Sequence, residues 1–288
     1  MKILVTGSEG FTGQHFIRYA SSVGHEIVTL NTDIRDICAL EKDIAELDFD
    51  SAINFAAISS VDHGDLSEIY SVNVIGAMNI LDAIHSSNKS TLKSIVLVSS
   101  AHVYGNHEGA QYDEAHPLKP NNHYATSKLS MELMAQTYMN KLPILITRPF
   151  NYTGPGHSTD FIIPKIVQHF LEKKEIIELG NLETEREYND IRFICRAYLA
   201  LLEYGKLGEV YNLCTGLTYR LKDILSIIEK ITGHELDITV NKKFIRKNDI
   251  QKLSGNPQKL NLILDKAGVS KQKYSLEETL TFMLENEL

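Results

Sequence analysis

The pair Tyr124 and Lys128 stands four positions apart within His123–Asn140, a stretch whose sequence predicts a long helix. Residues at this spacing share one face of a helix, so the phenol and the ammonium group would lie side by side. A nearby cation stabilises a phenolate and lowers the tyrosine pKa from its usual value of about 10. The spacing therefore predicts a general acid/base, although it is also typical of solvated surface pairs.

Two serines, Ser99 and Ser100, follow the apolar run Ser94–Val98, which predicts a buried strand. The carboxyl ends of parallel strands form the edge at which α/β proteins build their sites. Ser100 is therefore predicted to hydrogen-bond the reacting oxygen beside Tyr124; the alternative is a small residue that ends a strand. The predicted catalytic residues are Ser100, Tyr124 and Lys128.

A glycine-rich segment follows the first apolar run, Lys2–Thr6, and leads into a helical stretch. Its GxxGxxG spacing permits a tight turn and lets the backbone approach a pyrophosphate, to which a helix N-terminus offers free N–H groups. The location of the segment, at the first predicted junction between a strand and a helix, predicts a dinucleotide site more strongly than the spacing of its glycines does. The predicted cofactor-binding residues of the segment are Gly7, Gly10, Phe11, Thr12 and Gly13.

The end of the next predicted strand is where an acidic residue usually holds the adenosine ribose. Asn31 stands there and can hydrogen-bond a ribose without repelling a 2′-phosphate, but it can equally be a plain turn residue. Arg35 would attract such a phosphate and Glu9 would oppose it, so the choice between NAD and NADP stays open. The residues expected at the adenosine are Asn31, Asp33 and Ile34.

The elements that must position these residues alternate between strands and helices. The predicted strands are Lys2–Thr6, Glu26–Leu30, Ser51–Phe55, Ser94–Val98 and Pro143–Thr147. The predicted helices are Phe16–Val23, Ala39–Leu47, Ile69–Ile84 and His123–Asn140. This alternation, with fully apolar strands, predicts an α/β fold: a Rossmann-type doubly wound parallel sheet covered on both faces.

The pattern changes near Arg148, where prolines and glycines break the chain. Shorter elements follow, including the predicted strands Ile176–Leu179 and Glu209–Leu213. We predict a NAD(P)-binding domain over residues 1–150 and a smaller C-terminal α/β region over 151–288 for the substrate. The prediction leaves open a return of the chain to the first domain.

Composition excludes several classes of protein. The 288 residues include 29 basic and 37 acidic ones, a net charge of −8, which disfavours nonspecific nucleic-acid binding. No apolar stretch approaches the roughly 20 residues needed to cross a bilayer. The three cysteines are scattered and no Cys/His cluster suggests a metal site, so a reducing compartment is expected. With no secretory signal after Met1, we expect a cytoplasmic protein without nucleic-acid or membrane partners.

The sequence resembles the extended short-chain dehydrogenase/reductase family of nucleotide-sugar epimerases, dehydratases and reductases. The matching stretches occur in family order along nearly the whole chain: Thr6–Gly13, Phe55–Ala57, Val72–Gly76, Val98–Gly105, Tyr124–Lys128 and Arg148–Gly156. The resemblance implies that Tyr124 is the acid/base, that Lys128 orients it and the nicotinamide ribose, and that Ser100 completes the triad. The further cofactor-site residues that it implies are Phe55, Ala56, Ala57, Asn73 and Ser99.

The resemblance also bears on assembly and reaction. It implies a homodimer in which the helices Ile69–Ile84 and Tyr124–Asn140 of two copies form a four-helix bundle. In the 4,6-dehydratases of this family, acids that move protons occupy the positions of Ala101 and His102. Ala101 cannot transfer a proton, so dehydration is disfavoured. His102 stays a candidate substrate residue, with a surface or capping role as the alternative.

The run Arg148–Gly156 matches most closely the reductases that act on GDP-4-keto-6-deoxymannose. By this resemblance Asn151 and Arg186 would contact substrate phosphates, and Arg246 is a second candidate arginine; surface ion pairs are the alternative. We therefore expect NAD(P)H-dependent reduction of the C4 ketone of a nucleoside-diphosphate 4-keto-6-deoxyhexose, with GDP favoured over dTDP. A 4-epimerase is the alternative, ahead of a 4,6-dehydratase or a non-catalytic cofactor-binding protein.

Overall fold

The computed structural model describes residues 1–60, 63–107, 111–244, 250–269 and 274–286. Its strands are β1 (Lys2–Thr6), β2 (Glu26–Leu30), β3 (Ser51–Asn54), β4 (Ser94–Val98), β5 (Ile144–Pro149), β6 (Tyr152–Thr153), β7 (Ile176–Leu179), β8 (Glu185–Glu187), β9 (Asn189–Asp190), β10 (Val210–Leu213), β11 (Thr218–Arg220), β12 (Asp237–Val240) and β13 (Lys252–Leu253). Its α-helices are α1 (Phe11–Ser22), α2 (Ile37–Glu46), α3 (Leu66–Tyr70), α4 (Ala77–Ser86), α5 (His123–Gln136), α6 (Ile162–Leu171), α7 (Ile191–Tyr204), α8 (Leu221–Thr232), α9 (Gln258–Lys266) and α10 (Leu276–Glu285).

A parallel sheet in the order β10-β5-β4-β3-β1-β2 forms the centre of the molecule. Alternate residues of a strand point to opposite faces, so Ile3 and Val5 enter one core cluster while Leu4 enters the other. Helices α1, α7 and α9 cover the first face, and α2, α4 and α5 cover the second. The predicted α/β, Rossmann-type fold is thereby confirmed.

All four predicted helices have different bounds in the structure. Helix α2 runs over Ile37–Glu46 where Ala39–Leu47 was predicted. The stretch Ile69–Ile84 is interrupted, because a π-helical segment, Ser71–Gly76, joins α3 to α4. Helix α1 begins at Phe11 rather than Phe16, since the glycine segment itself forms the first turn. Helix α5 ends at Gln136 rather than Asn140, and irregular turns carry the chain from there to Pro143, which disfavours helical backbone at the residue before it.

Beyond residue 151 the chain contributes to the central sheet as well as to smaller layers. Strand β10 pairs with β5 at the sheet edge, and α7 packs on the first face. The smaller layers are the sheet β11-β8-β13 and the pairs β7–β12 and β6–β9. Helices α6, α8 and α10 share a separate apolar cluster. The division into residues 1–150 and 151–288 stays a prediction.

Among the residues that the structure describes, no helix is long and apolar enough to span a membrane.

Candidate active site

Tyr124 and Ser100 meet at the carboxyl end of β4. The Asn122 side chain accepts the Ala125 N–H at 2.8 Å and so starts α5 immediately before Tyr124. The Tyr124 phenol is buried and shares a hydrogen bond with Ser100. Burial raises the pKa of Tyr124, and the Ser100 hydrogen bond opposes that rise. The sequence predicted a lowered pKa instead; desolvation outweighs the stabilising contacts here, so the phenol is protonated at neutral pH.

Lys128 is buried beside this tyrosine rather than exposed on the helix surface. Its Nζ donates to the Val98 carbonyl oxygen at 2.9 Å. Burial lowers the pKa of Lys128 to about 8, and the Glu132 carboxylate one turn later opposes that fall. At pH 7 the ammonium form therefore predominates. The alternative of a solvated surface pair does not fit this geometry.

Asn73 ties the loop after β3 to α5. Its side-chain amide donates to the Ile58 carbonyl oxygen at 3.0 Å and its Oδ1 accepts the Ile58 N–H at 2.8 Å. The same amide donates to Ser127 Oγ at 3.0 Å, and Ser127 Oγ donates to the Tyr124 carbonyl oxygen at 2.8 Å. Asn73 lies in the π-helical segment, a type of local distortion that is frequent at functional sites.

The glycine segment follows β1 at the point where the strand order reverses, because β2 pairs with one edge of β1 and β3 with the other. In an open α/β sheet, ligands bind at such a point. Gly7 has φ +66°, and a Cβ there would lie 2.6 Å from the Ala56 nitrogen. A Cβ at Gly13 would lie 2.2 Å from the Gly7 carbonyl oxygen, whereas a Cβ at Gly10 meets only that oxygen, at 3.4 Å. Gly10 caps α1 without a side chain, so the first N–H groups of the helix have no capping side chain. This cradle fits a pyrophosphate.

The side chains of Phe11 and Thr12 point away from the glycine cradle. Phe11 stacks on the His157 ring at a centroid distance of 4.3 Å. Thr12 Oγ1 forms a 2.7 Å hydrogen bond with the Tyr152 hydroxyl. Only the backbone of these two predicted residues is left for a cofactor, because their side chains attach α1 to β6 and to the loop that follows it.

The segment Phe55–Ala57 continues from β3 beside this cradle. The Phe55 ring packs in the core, 5.4 Å from the Phe16 ring and 5.1 Å from the Tyr198 ring, centroid to centroid. The Ala56 N–H donates to Asn54 Oδ1 at 3.1 Å, and Thr6 Oγ1 donates to the same oxygen. The ends of β1 and β3 are therefore bound to each other, which fixes the shape of the cradle.

Beyond the end of β2, Arg35 is already paired. Its guanidinium donates to both carboxylate oxygens of Asp33 at 2.6–3.0 Å and lies 3.5 Å from Glu68. Arg35 lowers the pKa of Asp33 to about 2. Asn31 Oδ1 accepts from Ser8 Oγ at 3.4 Å, which joins it to the glycine segment. Ile34 is buried and packs against Gly76, so its side chain is a core residue.

Among the predicted substrate residues that the structure describes, Ser100 belongs to the triad and His102 lies near it. Its ring centroid is 6.0 Å from that of Tyr124. Asn151 precedes β6, and its carbonyl oxygen accepts the Asn189 N–H at 2.9 Å. Arg186 is buried on β8 within the small sheet. Arg246 lies outside the described residues.

Sequence reasoning missed three residues near the triad. Tyr152, in the Arg148–Gly156 stretch, has a buried phenol whose pKa is raised by burial and further by the neighbouring Tyr124. Glu132 and Arg148 form a buried ion pair with a 2.6 Å bond from Nη2 to Oε2, and Ser99 Oγ donates to Glu132 Oε1. The sequence feature that could have identified Glu132 is its position one helical turn after Lys128.

The chain is similar in sequence and fold to known proteins. A sequence model of the NAD dependent epimerase/dehydratase family matches residues 3–214. GDP-6-deoxy-D-talose 4-dehydrogenase of Aggregatibacter actinomycetemcomitans is 32% identical over 265 residues, 90% of each chain. GDP-6-deoxy-D-mannose reductase of Pseudomonas aeruginosa is 27% identical over 275 residues, 90% of this chain and 89% of that protein. The structure of RMD from Pseudomonas aeruginosa with NADPH matches with a TM-score of 0.88 at 25% identity, covering 99% of this chain and 98% of that one.

Other matching proteins have names that denote other reactions. They include dTDP-glucose 4,6-dehydratases, two of them solved with NAD, and a UDP-glucuronic acid 4-epimerase from Bacillus cereus whose 24% identity shows the fold alone. The solved structures named here contain NADPH or NAD. Similarity by itself does not separate reductase, epimerase and dehydratase.

Proposed function

Because the chain belongs to the NAD-dependent epimerase/dehydratase family and is an enzyme that modifies nucleotide sugars, we propose that it reduces the C4 ketone of a nucleoside-diphosphate 4-keto-6-deoxyhexose with NAD(P)H. The observation that carries the proposal is the buried cluster of Ser100, Tyr124 and Lys128 at the carboxyl edge of the sheet. GDP is the favoured nucleotide, since the names of the similar dehydrogenase and reductase described above denote GDP-6-deoxyhexoses.

The chain's own groups account for the proton that ketone reduction requires. A bound reduced nicotinamide would supply the hydride. Tyr124, whose burial keeps the phenol protonated at neutral pH, donates its proton to the oxygen on C4. The Ser100 hydroxyl hydrogen-bonds that oxygen and holds it beside the phenol. The Lys128 ammonium, four residues after Tyr124 on α5, would stabilise the phenolate that remains.

The cofactor and the nucleotide sugar are both anionic, and so is the protein, with a net charge of −8. We therefore assign the binding of their phosphates to a few local groups. The glycine cradle and the first N–H groups of α1 would hold the cofactor pyrophosphate. Asn151 and Arg186 would contact the substrate diphosphate, with Arg246 as a further candidate. Ala101 is buried and carries no proton-transferring group, which argues against dehydration.

A panel of GDP- and dTDP-linked 4-keto-6-deoxyhexoses tests the proposal with the purified chain. We expect the absorbance of the reduced nicotinamide to fall in proportion to the substrate consumed, and to fall fastest with a GDP sugar. NMR should show a single configuration at C4 of the product. Interconversion of C4 epimers with a retained cofactor and no net consumption of NADH or NADPH would establish the epimerase instead. Cofactor binding without turnover of any sugar nucleotide would refute both.

We also propose that the chain forms a homodimer through α5 and the segment formed by α3, the π-helical residues and α4. Ile75 on the π-helical segment and Leu133 on α5 are apolar yet 46% and 55% exposed in the single chain. Pairing with a second copy would remove both side chains from water. A cytoplasmic location and the absence of nucleic-acid or membrane partners stay predictions.

A further inference from the structure

We propose that Glu132 is a positioning residue of the catalytic site, which fixes the end of β4 and sustains the positive charge on Lys128. The inference rests on the proposed function, in which that charge stabilises the Tyr124 phenolate. Glu132 lies one turn after Lys128 on the same helix, and its side chain is only 4% exposed.

Three consecutive residues at the end of β4 each contact a different turn of α5. The Val98 carbonyl oxygen accepts from Lys128 Nζ at 2.9 Å. Ser99 Oγ donates to Glu132 Oε1. Ser100 shares a hydrogen bond with Tyr124. Because the contacts to Glu132 and Lys128 adjoin the contact to Tyr124 along the strand, they determine where Ser100 stands relative to the phenol.

Arg148 on β5 holds the Glu132 carboxylate in place from the other side. Its Nη2 donates to Oε2 at 2.6 Å and its Nε donates to Oε1 at 3.0 Å, in the two-pronged geometry that suits a guanidinium and a carboxylate. Behind it, Arg148 Nη1 donates to the Tyr104 hydroxyl at 3.0 Å and to the Glu114 carbonyl oxygen at 3.3 Å. The carboxylate is therefore held in one position, on the helical turn that follows Lys128.

Further titratable and charged groups lie around Lys128 and Glu132, and Tyr152 lies next to Tyr124. Arg148 faces Glu132 from β5, Tyr104 lies beyond the arginine, and Tyr124 shares α5 with Lys128. Among these groups it is Glu132 that raises the pKa of Lys128 against the effect of burial. Burial of the Glu132–Arg148 ion pair does not by itself show that the pair stabilises the fold. The role proposed for Glu132 in the site comes instead from its hydrogen bond to Ser99 and from its effect on Lys128.

The test is an NMR titration of the Lys128 side chain in the full-length protein labelled at its lysines, with Lys128→Met to assign the signal. In Glu132→Gln, which keeps the shape and loses the charge, we expect the titration midpoint to fall by about one pH unit or more. Glu132→Gln/Arg148→Met removes both charges and serves where the single variant does not fold; its midpoint should also lie below the wild-type value.

Leu280→Ala, a cavity variant of the separate α10 cluster, is the matched control for lost stability. We expect it to unfold at lower temperature with a wild-type Lys128 midpoint. Wild-type midpoints in the Glu132 variants, or an equal shift in Leu280→Ala, would overturn the inference.

The titration needs no sugar nucleotide, so it separates the inference from the proposed function. If no substrate is reduced, the proposed function fails while the titration still reports on Glu132. Where turnover is measurable, Glu132→Gln should lower kcat and move the alkaline limb of its pH profile to lower pH, with KM little changed. An unmoved alkaline limb would contradict the charge-sustaining role.

Discussion

Tyr124 is the residue on which the proposed reaction depends most directly, since it is the buried proton donor nearest Ser100. Tyr124→Phe keeps the ring and removes the proton, so we expect turnover to fall by about 10²–10⁴-fold with cofactor affinity nearly unchanged. Steady-state assays on the 4-keto sugar nucleotide measure turnover, and fluorescence titration measures cofactor affinity.

Tyr138→Phe is the control for the Tyr124 variant, because its hydroxyl donates to Asp82 at 2.7 Å instead of to the triad. It should turn over substrate at close to the wild-type rate. Wild-type turnover in Tyr124→Phe would rule out this phenol as the acid.

The preference for NADH or NADPH is also predicted at the level of single residues. Two carboxylates, Asp33 and Glu68, already offset the Arg35 charge, so we expect the wild type to prefer NADH over NADPH. Asp33→Asn releases the guanidinium for a 2′-phosphate and should shift the ratio of the two affinities roughly tenfold toward NADPH. Fluorescence titration with both cofactors measures this ratio. Adding Arg35→Gln should abolish the gain; an unchanged ratio in Asp33→Asn would refute the assignment.

Between elements, the His157 ring attaches the loop between β6 and α6 to α1: it stacks on Phe11 at 4.3 Å and on Phe161 at 4.2 Å. Burial, aided by the nearby His15, lowers the pKa of His157 from 6.5 to about 4. The unfolded chain therefore binds this proton more readily than the folded one. Its effect on stability is absent above pH 6.5 and grows to a loss of up to about 3 kcal/mol as the pH falls toward 4.

His157→Phe keeps an aromatic ring in the stack and removes the titrating group. We expect its free energy of unfolding to fall less steeply than that of the wild type between pH 6.5 and pH 4, by urea unfolding at several pH values. His85→Gln, which changes an exposed histidine at the end of α4, should leave the wild-type slope. If the free energy of unfolding falls equally steeply with pH in His157→Phe and in the wild type, this ring does not cause the loss of stability in acid.

At the scale of the whole molecule, the proposed dimer makes a prediction about assembly. Leu133→Glu places a charge on the exposed apolar face of α5, and burying it in an interface would be costly. We therefore expect a monomer by sedimentation velocity where the wild type sediments as a dimer. Leu262→Glu, at an apolar position that is 69% exposed on α9, should leave the dimer intact. Equal sedimentation of all three proteins would place the interface elsewhere or exclude it.

The sequence by itself determined the fold class, the family and the stretches that form the site. Strands β1, β2, β4 and β7 have the predicted bounds, because continuous apolar runs between breakers leave few alternatives. The motifs around Gly7, Ser100 and Tyr124 could be recognised because each is a short run of neighbouring residues, and the family expected from them is confirmed.

Only the tertiary structure decided which distant side chains meet. Glu132 and Arg148 are 16 residues apart, and Thr12 and Tyr152 are 140 apart, so no local pattern pairs them. Burial, too, depends on the packed elements: it raises the pKa of Tyr124, where the helix spacing alone predicted a fall. Periodicity locates the elements, but desolvation and long-range contacts exist only once the sheet and its helices have closed around the site.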